Sequence, residues 1–271
     1  MVENYRMKIE IVLRTHDNIN IHKDRQRYCG FDKRTLILGC LASLINSANL
    51  VMTYEVNFKI FDDHSSEEFI KKVHEYFKCS RWTYELISLE IPGHNHSSFK
   101  QFEACRDSTA DLIYSVEDDY LHCPTALQEM IESYELFAAK SGAEIAIYPF
   151  DMPDDYVPPW MAPSWVVHGS RRHWRSGTWS TATMMCRPQV LKDHWPLFEK
   201  LALEYTGDYS GDAENHVHEG NTINEVWRNH AIRFSPIQSL ALHMQFDTQL
   251  DPFIDWKQWW DDYTSLGNNI Q

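Results

Sequence analysis

The chain has 271 residues, 43% of them apolar and 13% aromatic, enough to bury a full core as one large domain or two closely packed halves. Its net charge of −14 repels a nucleic-acid backbone, no cluster of Lys and Arg offsets this, and no apolar run approaches the roughly 20 residues of a membrane span. The start carries Glu3 and no signal-peptide core, and the six cysteines form no CxxC pair. The expectation is therefore a soluble cytoplasmic protein with reduced thiols packed mostly inside.

"KIEIVLR" (Lys8 to Arg14) has the β-branched, apolar character of a strand, and "RTLILGCLASLINSANL" from Arg34 is long and apolar enough for a buried helix. "VNFKIF" (Val56 to Phe61) reads as a second strand. In "SSEEFIKKVHEYF", Ser65 and Glu68 have capping-box spacing, and Phe69, Ile70, Val73, Tyr76 and Phe77 share one helical face. "YELISLEI" (Tyr84 to Ile91) predicts a third strand, "SSFKQFEACRDS" a short helix and "DLIYSV" (Asp111 to Val116) a fourth strand. Pro124 then opens a helix with Leu127, Met130, Ile131, Tyr134 and Phe137 at helical spacing. Four alternations imply an α/β protein whose mostly parallel sheet carries helices on both faces and binds ligands beyond the carboxyl ends of its strands.

"AEIAIYPF" (Ala143 to Phe150) predicts a fifth strand, after which the Pro- and Trp-rich "DMPDDYVPPWMAPSW" reads as a long ordered loop. "GTWSTATMMC" follows as a strand, "PQVLKDHWPLFEKLALEY" as a helix, "NTINEVWRNH" as a shorter helix and "AIRFS" as a strand. In "DWKQWWDDY", Trp256, Trp259, Trp260 and Tyr263 at helical spacing predict a docking helix.

Three strand ends are polar: "RTHDN" from Arg14, "DDHSS" from Asp62 and the carboxylates Glu117, Asp118 and Asp119. Such a triplet reads either as a solvated strand end or as the seat of a divalent, oxygen-loving ion, Mg²⁺ or Mn²⁺, that offsets the mutual repulsion. Carboxylates beside Thr and Asn suit a ribose and a base edge, and a metal suits a diphosphate.

In that order, "IEIVLRTHDN", "VNFKIFDDHSSEEF" and "ADLIYSVEDDYLHCPTALQEMI" resemble the nucleotide-binding half of glycosyltransferases with the GT-A fold, particularly the family 2-like group with its strand-terminal acidic DXD signature. The resemblance implies a Rossmann-like GT-A domain, with residues 1–150 as its nucleotide-sugar and metal half and 151–271 as its acceptor-binding and catalytic half. It implies Arg14, Thr15 and Asp17 near the nucleotide, Asp62 or Asp63 at the base or ribose, and Glu117 and Asp118 around ribose and metal. Asp119 then holds Mn²⁺ or Mg²⁺, with His243 in "SPIQSLALHMQF" as a further ligand. The donor is a UDP- or GDP-sugar and the acceptor a carbohydrate or glycoconjugate. The chain departs from the family pattern at His16-Asp17-Asn18 and at His64, where a Gly is usual.

Hexosyl transfer of this kind needs a base for the acceptor hydroxyl. "YTGDYSGDAENHVHEGN" offers Asp208, Asp212 and Glu214, with Asp212 first and Glu214 second as the base of an inverting enzyme, and Glu225 as a third option. His216 and His218 alternate with Glu214 and offer a zinc set. Trp160, Trp165, Trp174 and Trp179, with Arg171, Arg172, His173 and Arg175, read either as core packing or as an acceptor platform and leaving-group clamp. Two other readings stay open: a two-metal nucleotidyltransferase or phosphohydrolase, and a non-catalytic carbohydrate-binding protein on the same scaffold.

Overall fold

The computed structural model describes residues 7–17, 30–158, 161, 163–206, 216–245, 250–251 and 253–266. The first half follows the sequence pattern closely. Strand β1 (Lys8–Thr15) leads to helix α1 (Lys33–Asn49), β2 (Glu55–Asp62) to α2 (Glu67–Phe77), and β3 (Thr83–Ser88) to α3 (His94–Asp107). Strand β4 (Leu112–Val116) carries the acidic triplet, a short β5 (Tyr120–His122) follows it, and α4 (Ala126–Ser141) returns to β6 (Ile145–Ile147). The cap of α2 is Ser66 and not Ser65: its side chain accepts from Phe69 N, while Ser65 turns to the strand ends. Pro124 lies just ahead of α4, whose N-cap is Thr125.

The second half departs more from expectation. The Pro-rich loop contains a 3₁₀ turn (Pro153–Tyr156), and the Arg-rich stretch after it forms a hairpin, β7 (Val166–His168) and β8 (His173–Gly177). Only Met184–Cys186 of "GTWSTATMMC" is a separate strand, β9. The single helix expected after it is two, α5 (Pro188–Asp193) and α6 (Trp195–Glu204), because Pro196 has no amide hydrogen to continue the α5 ladder. Helix α7 (Ile223–Asn229), β10 (Ile232–Pro236), β11 (Ala241–His243) and α8 (Trp256–Tyr263) complete the described chain.

Nine strands form one sheet in the order β3-β2-β1-β4-β9-β6-β10-β8-β7, and β5 pairs with β11 in a separate ribbon. β3, β2, β1 and β4 run parallel, as do β6 and β10, with β9 antiparallel between β4 and β6. Alternate residues of the central strands feed two cores. Ile9, Ile11 and Leu13 of β1 face the apolar sides of α1, α2 and α4, while Val12 faces Phe102, Phe198 and Trp227 from α3, α6 and α7. Helix α8 docks on α1 as its aromatic spacing predicts. The Trp260 ring lies where a Cβ on Gly39 would stand only 2.2 Å from it, and Asn46 Nδ2 donates to the Tyr263 carbonyl at 2.8 Å. Among the described residues no helix is long and apolar enough to cross a membrane, and the five described cysteines form no disulfide.

Candidate functional site

The parallel register sets the strand ends side by side, with Thr15 opposite Asp62 and Leu13 opposite Val116. Thr15 Oγ1 donates to Asp62 Oδ1 at 3.0 Å, and Asp62 Oδ2 accepts from Ser65 N at 3.0 Å. Asp17 accepts from Ser66 N at 3.0 Å, from Ser66 Oγ and from Arg34 Nε at 3.1 Å. Asp63 accepts from Gly93 N at 3.0 Å; with φ at 125°, Gly93 occupies a conformation that side chains disfavour as it leads into α3. These buried carboxylates tie the loops after β1, β2 and β3 into one surface. His64 holds φ at 60°, in the left-handed region that favours glycine. Beside it a cleft of about 540 Å³ opens between Asp62, Ser65, Ser88 and the flank of α2.

The fold gives the three carboxylates of the acidic triplet different partners. Glu117 pairs with Arg14 Nη2 at 3.3 Å and accepts from Thr183 Oγ1 at 3.3 Å. Asp118 lies 3.9 Å from Lys33 Nζ, at the start of α1, and accepts from His16 N at 3.3 Å. Arg14 is itself fixed by Ser98 Oγ and by His94 Nδ1 at 3.1 Å on α3. The chain thus supplies its own counter-charges for two of the three carboxylates.

Asp119 turns the other way. The β5–β11 ribbon places His243 opposite Tyr120, and Met244 N donates to the Asp119 carbonyl at 2.8 Å. His243 Nε2 consequently stands 3.4 Å from Asp119 Oδ1, with both side chains more than nine-tenths buried. Neighbouring ligands on an octahedral ion with bonds of about 2.1 Å lie about 3 Å apart, so this oxygen and nitrogen suit two adjacent positions of one divalent ion. Among the described residues no group of three or more His, Cys, Asp or Glu side chains is arranged to hold a metal.

Asp208, Asp212 and Glu214 lie outside the described residues, as does Trp160. The flanks of that acidic segment are described: Tyr205 bridges to Val217, and the Tyr205 ring lies 5.2 Å from the His94 ring beside Arg14. Glu225 is on α7, paired with Arg228 in the next turn. His218 accepts from Gly220 N at 3.0 Å and caps a 3₁₀ turn, while His216 Nδ1 lies 3.4 Å from Thr206 Oγ1.

Among the described residues of the tryptophan and arginine cluster, several are packed or paired within the protein. Trp174 is fully buried in the core, and Arg175 is 5% exposed against Asp155 and Asp151. Arg172 pairs with Glu129 at 2.5 Å and Arg171 with Glu132 at 3.5 Å. Trp179 is half-buried beside Arg228, with 5.8 Å from its ring to the guanidinium. Trp165 is 66% exposed, and its carbonyl accepts from Ser176 N at 2.9 Å, beside β8 at the level of Phe234 in β10.

Lys33 and Gln101 were not legible as site residues. Gln101 is fully buried, and its Nε2 donates to the Val12 and Val116 carbonyls at 2.9 Å each, bracing β1 against β4 one residue before the acidic triplet.

No family model and no curated protein matches the chain. Its fold is similar to that of solved structures of S. aureus TarS. The longer TarS chain is 15% identical with a TM-score of 0.52 over 87% of this chain and 36% of its own length. The TarS 1–349 fragment in complex with UDP is 14% identical with a TM-score of 0.50, over 87% of this chain and 60% of that one. The chain therefore spans less than two thirds of the structures it resembles. It has the GT-A fold: an α/β architecture around a mixed, mostly parallel central sheet.

Proposed function

We propose that the chain is a metal-dependent glycosyltransferase of the hexosyltransferase type, moving a sugar from a nucleotide diphosphate to a hydroxyl of a carbohydrate or glycoconjugate with inversion. The observation that carries this reading is the Asp119–His243 pair, drawn together from distant parts of the sequence at the carboxyl edge of the sheet. One carboxylate and one imidazole leave room for diphosphate oxygens, and the nitrogen ligand favours Mn²⁺ over the all-oxygen preference of Mg²⁺. When bound, such an ion neutralises the leaving diphosphate as a Lewis acid.

The chain's own residues divide the remaining work. Thr15, Asp17, Asp62 and Asp63 shape the surface for base and ribose, next to the 540 Å³ cleft, in keeping with the UDP complex of the similarly folded TarS fragment. Glu117, held by Arg14, and Asp118, held near Lys33, line the path between ribose and metal. Residues 1–150 thereby serve the donor and 151–271 the acceptor. Asp212, or else Glu214, takes the acceptor proton; the Tyr205–Val217 bridge beside His94 favours that segment over Glu225, whose carboxylate is held by Arg228. The ion pairs of Glu117 and Asp118 weigh against a two-metal phosphoryl enzyme, and the burial of Trp174 weighs against a glycan-binding role for that cluster.

The test is turnover of UDP- and GDP-sugars with Mn²⁺ across a panel of hydroxyl acceptors, with products separated by mass. Acceptor-dependent release of the nucleoside diphosphate supports the proposal. Release of pyrophosphate or monophosphate regardless of acceptor would replace it with phosphoryl chemistry.

A further inference from the structure

The imidazole of His243 lies face to face with the Tyr120 ring, centroids 4.6 Å apart and planes 13° from parallel. The Tyr120 ring is pinned at its far end. Its hydroxyl meets Tyr148 Oη at 2.9 Å and Thr181 Oγ1 at 3.0 Å, and the whole side chain is 1% exposed. Thr181 Oγ1 accepts in turn from Thr183 N at 3.2 Å, and Thr183 Oγ1 donates to Glu117. A fixed plate therefore runs from the acidic triplet to the imidazole.

We propose that Tyr120 is a positioning residue whose ring holds the His243 imidazole so that Nε2 faces Asp119. The inference rests on the reading of Asp119 and His243 as metal ligands. Strand pairing fixes only the His243 backbone; the torsion about its Cβ–Cγ bond is broad and roughly two-fold unless a neighbour confines it. Stacking against an immobile ring confines it, and the hydroxyl contacts keep the ring immobile. Residues that orient a metal ligand in this way change affinity by about 10- to 100-fold when removed.

The experiment measures Mn²⁺ affinity by electron paramagnetic resonance for the wild type, Tyr120→Phe, Tyr120→Leu, His243→Ala and the Tyr120→Leu/His243→Ala pair. In parallel, the His243 ring-proton shifts are read by NMR in the metal-free protein, where a stacked tyrosine moves them upfield. The expected result is at least about a tenfold loss for Tyr120→Leu, a smaller, several-fold loss for Tyr120→Phe, which keeps the stacked ring but frees its far end, and no further loss when Tyr120→Leu is added to His243→Ala. The upfield shift should persist in Tyr120→Phe and vanish in Tyr120→Leu. A folded Tyr120→Leu protein that binds Mn²⁺ like the wild type overturns the inference.

Should Tyr120→Leu fail to fold, Tyr148→Phe with Thr181→Val loosens the ring without a cavity. It is expected to broaden the His243 resonances and weaken Mn²⁺ several-fold; unchanged resonances and affinity overturn the inference. If the wild type binds no Mn²⁺, the functional reading fails. The ring-proton shifts then decide separately whether Tyr120 orients His243.

Discussion

Acidification is expected to weaken the fold through the buried imidazole of His122 in β5. It is 1% exposed, with Nδ1 at 2.9 Å from the Tyr120 carbonyl and Nε2 at 2.8 Å from Tyr114 Oη. A carbonyl only accepts, so Nδ1 carries the proton and Nε2 accepts from the tyrosine; the neutral ring satisfies both contacts. Burial pulls the pKa from 6.5 down to about 3, with the Tyr120 carbonyl opposing only in part. The unfolded chain therefore takes up a proton below about pH 6.5 that the native state refuses until about pH 3. Stability is complete above the upper value and falls by about 1.4 kcal/mol per pH unit below it, which amounts to about 2 kcal/mol at pH 5. His122→Gln removes the titration while keeping a polar group in place. Urea unfolding of both proteins at about pH 7.5 and pH 5 isolates the effect as a difference of differences. The wild type should lose about 2 kcal/mol more than the variant between the two conditions. Equal losses would refute the assignment of His122 as a neutral, buried group.

Two further substitutions probe the scaffold around the site. Gly39→Ala should place a methyl 2.2 Å from Trp260 and push α8 off α1, at a cost of about 1–3 kcal/mol seen in denaturant unfolding and in tryptophan fluorescence. Asp155→Ala should leave the buried Arg233 without its counter-charge and Arg175 with Asp151 alone, a loss of about 3–5 kcal/mol in unfolding free energy, with Asp155→Asn costing less.

The first four strand–helix repeats were legible because apolar residues alternate or run together in each strand, α1 is apolar along its length and α2 shows a clear face in Phe69, Val73 and Phe77. The strand-terminal positions of Thr15, Asp62 and Asp119 were legible for the same reason, since a polar cluster directly after an apolar run marks the edge of a parallel sheet. What pattern could not reveal was pairing at a distance. Glu117 and Asp118 look alike in sequence to Asp119, yet only the fold brings Arg14 and Lys33 to the first two and His243 to the third. Strands of three residues such as β5, β7 and β11 are too short to carry a period. The β7–β8 hairpin was hidden further by its arginines, which suggested a ligand clamp; their partners Glu129, Asp151 and Asp155 come from other elements, and local spacing contains no trace of them.

The most direct measurement is calorimetric titration of the protein with UDP, GDP and their sugar derivatives, with and without Mn²⁺, alongside Asp119→Ala and His243→Ala. Binding of one nucleotide that requires Mn²⁺ and is lost in both variants is the expected result. Binding that ignores Mn²⁺, or that survives in both variants, would contradict a metal-held donor diphosphate at Asp119 and His243.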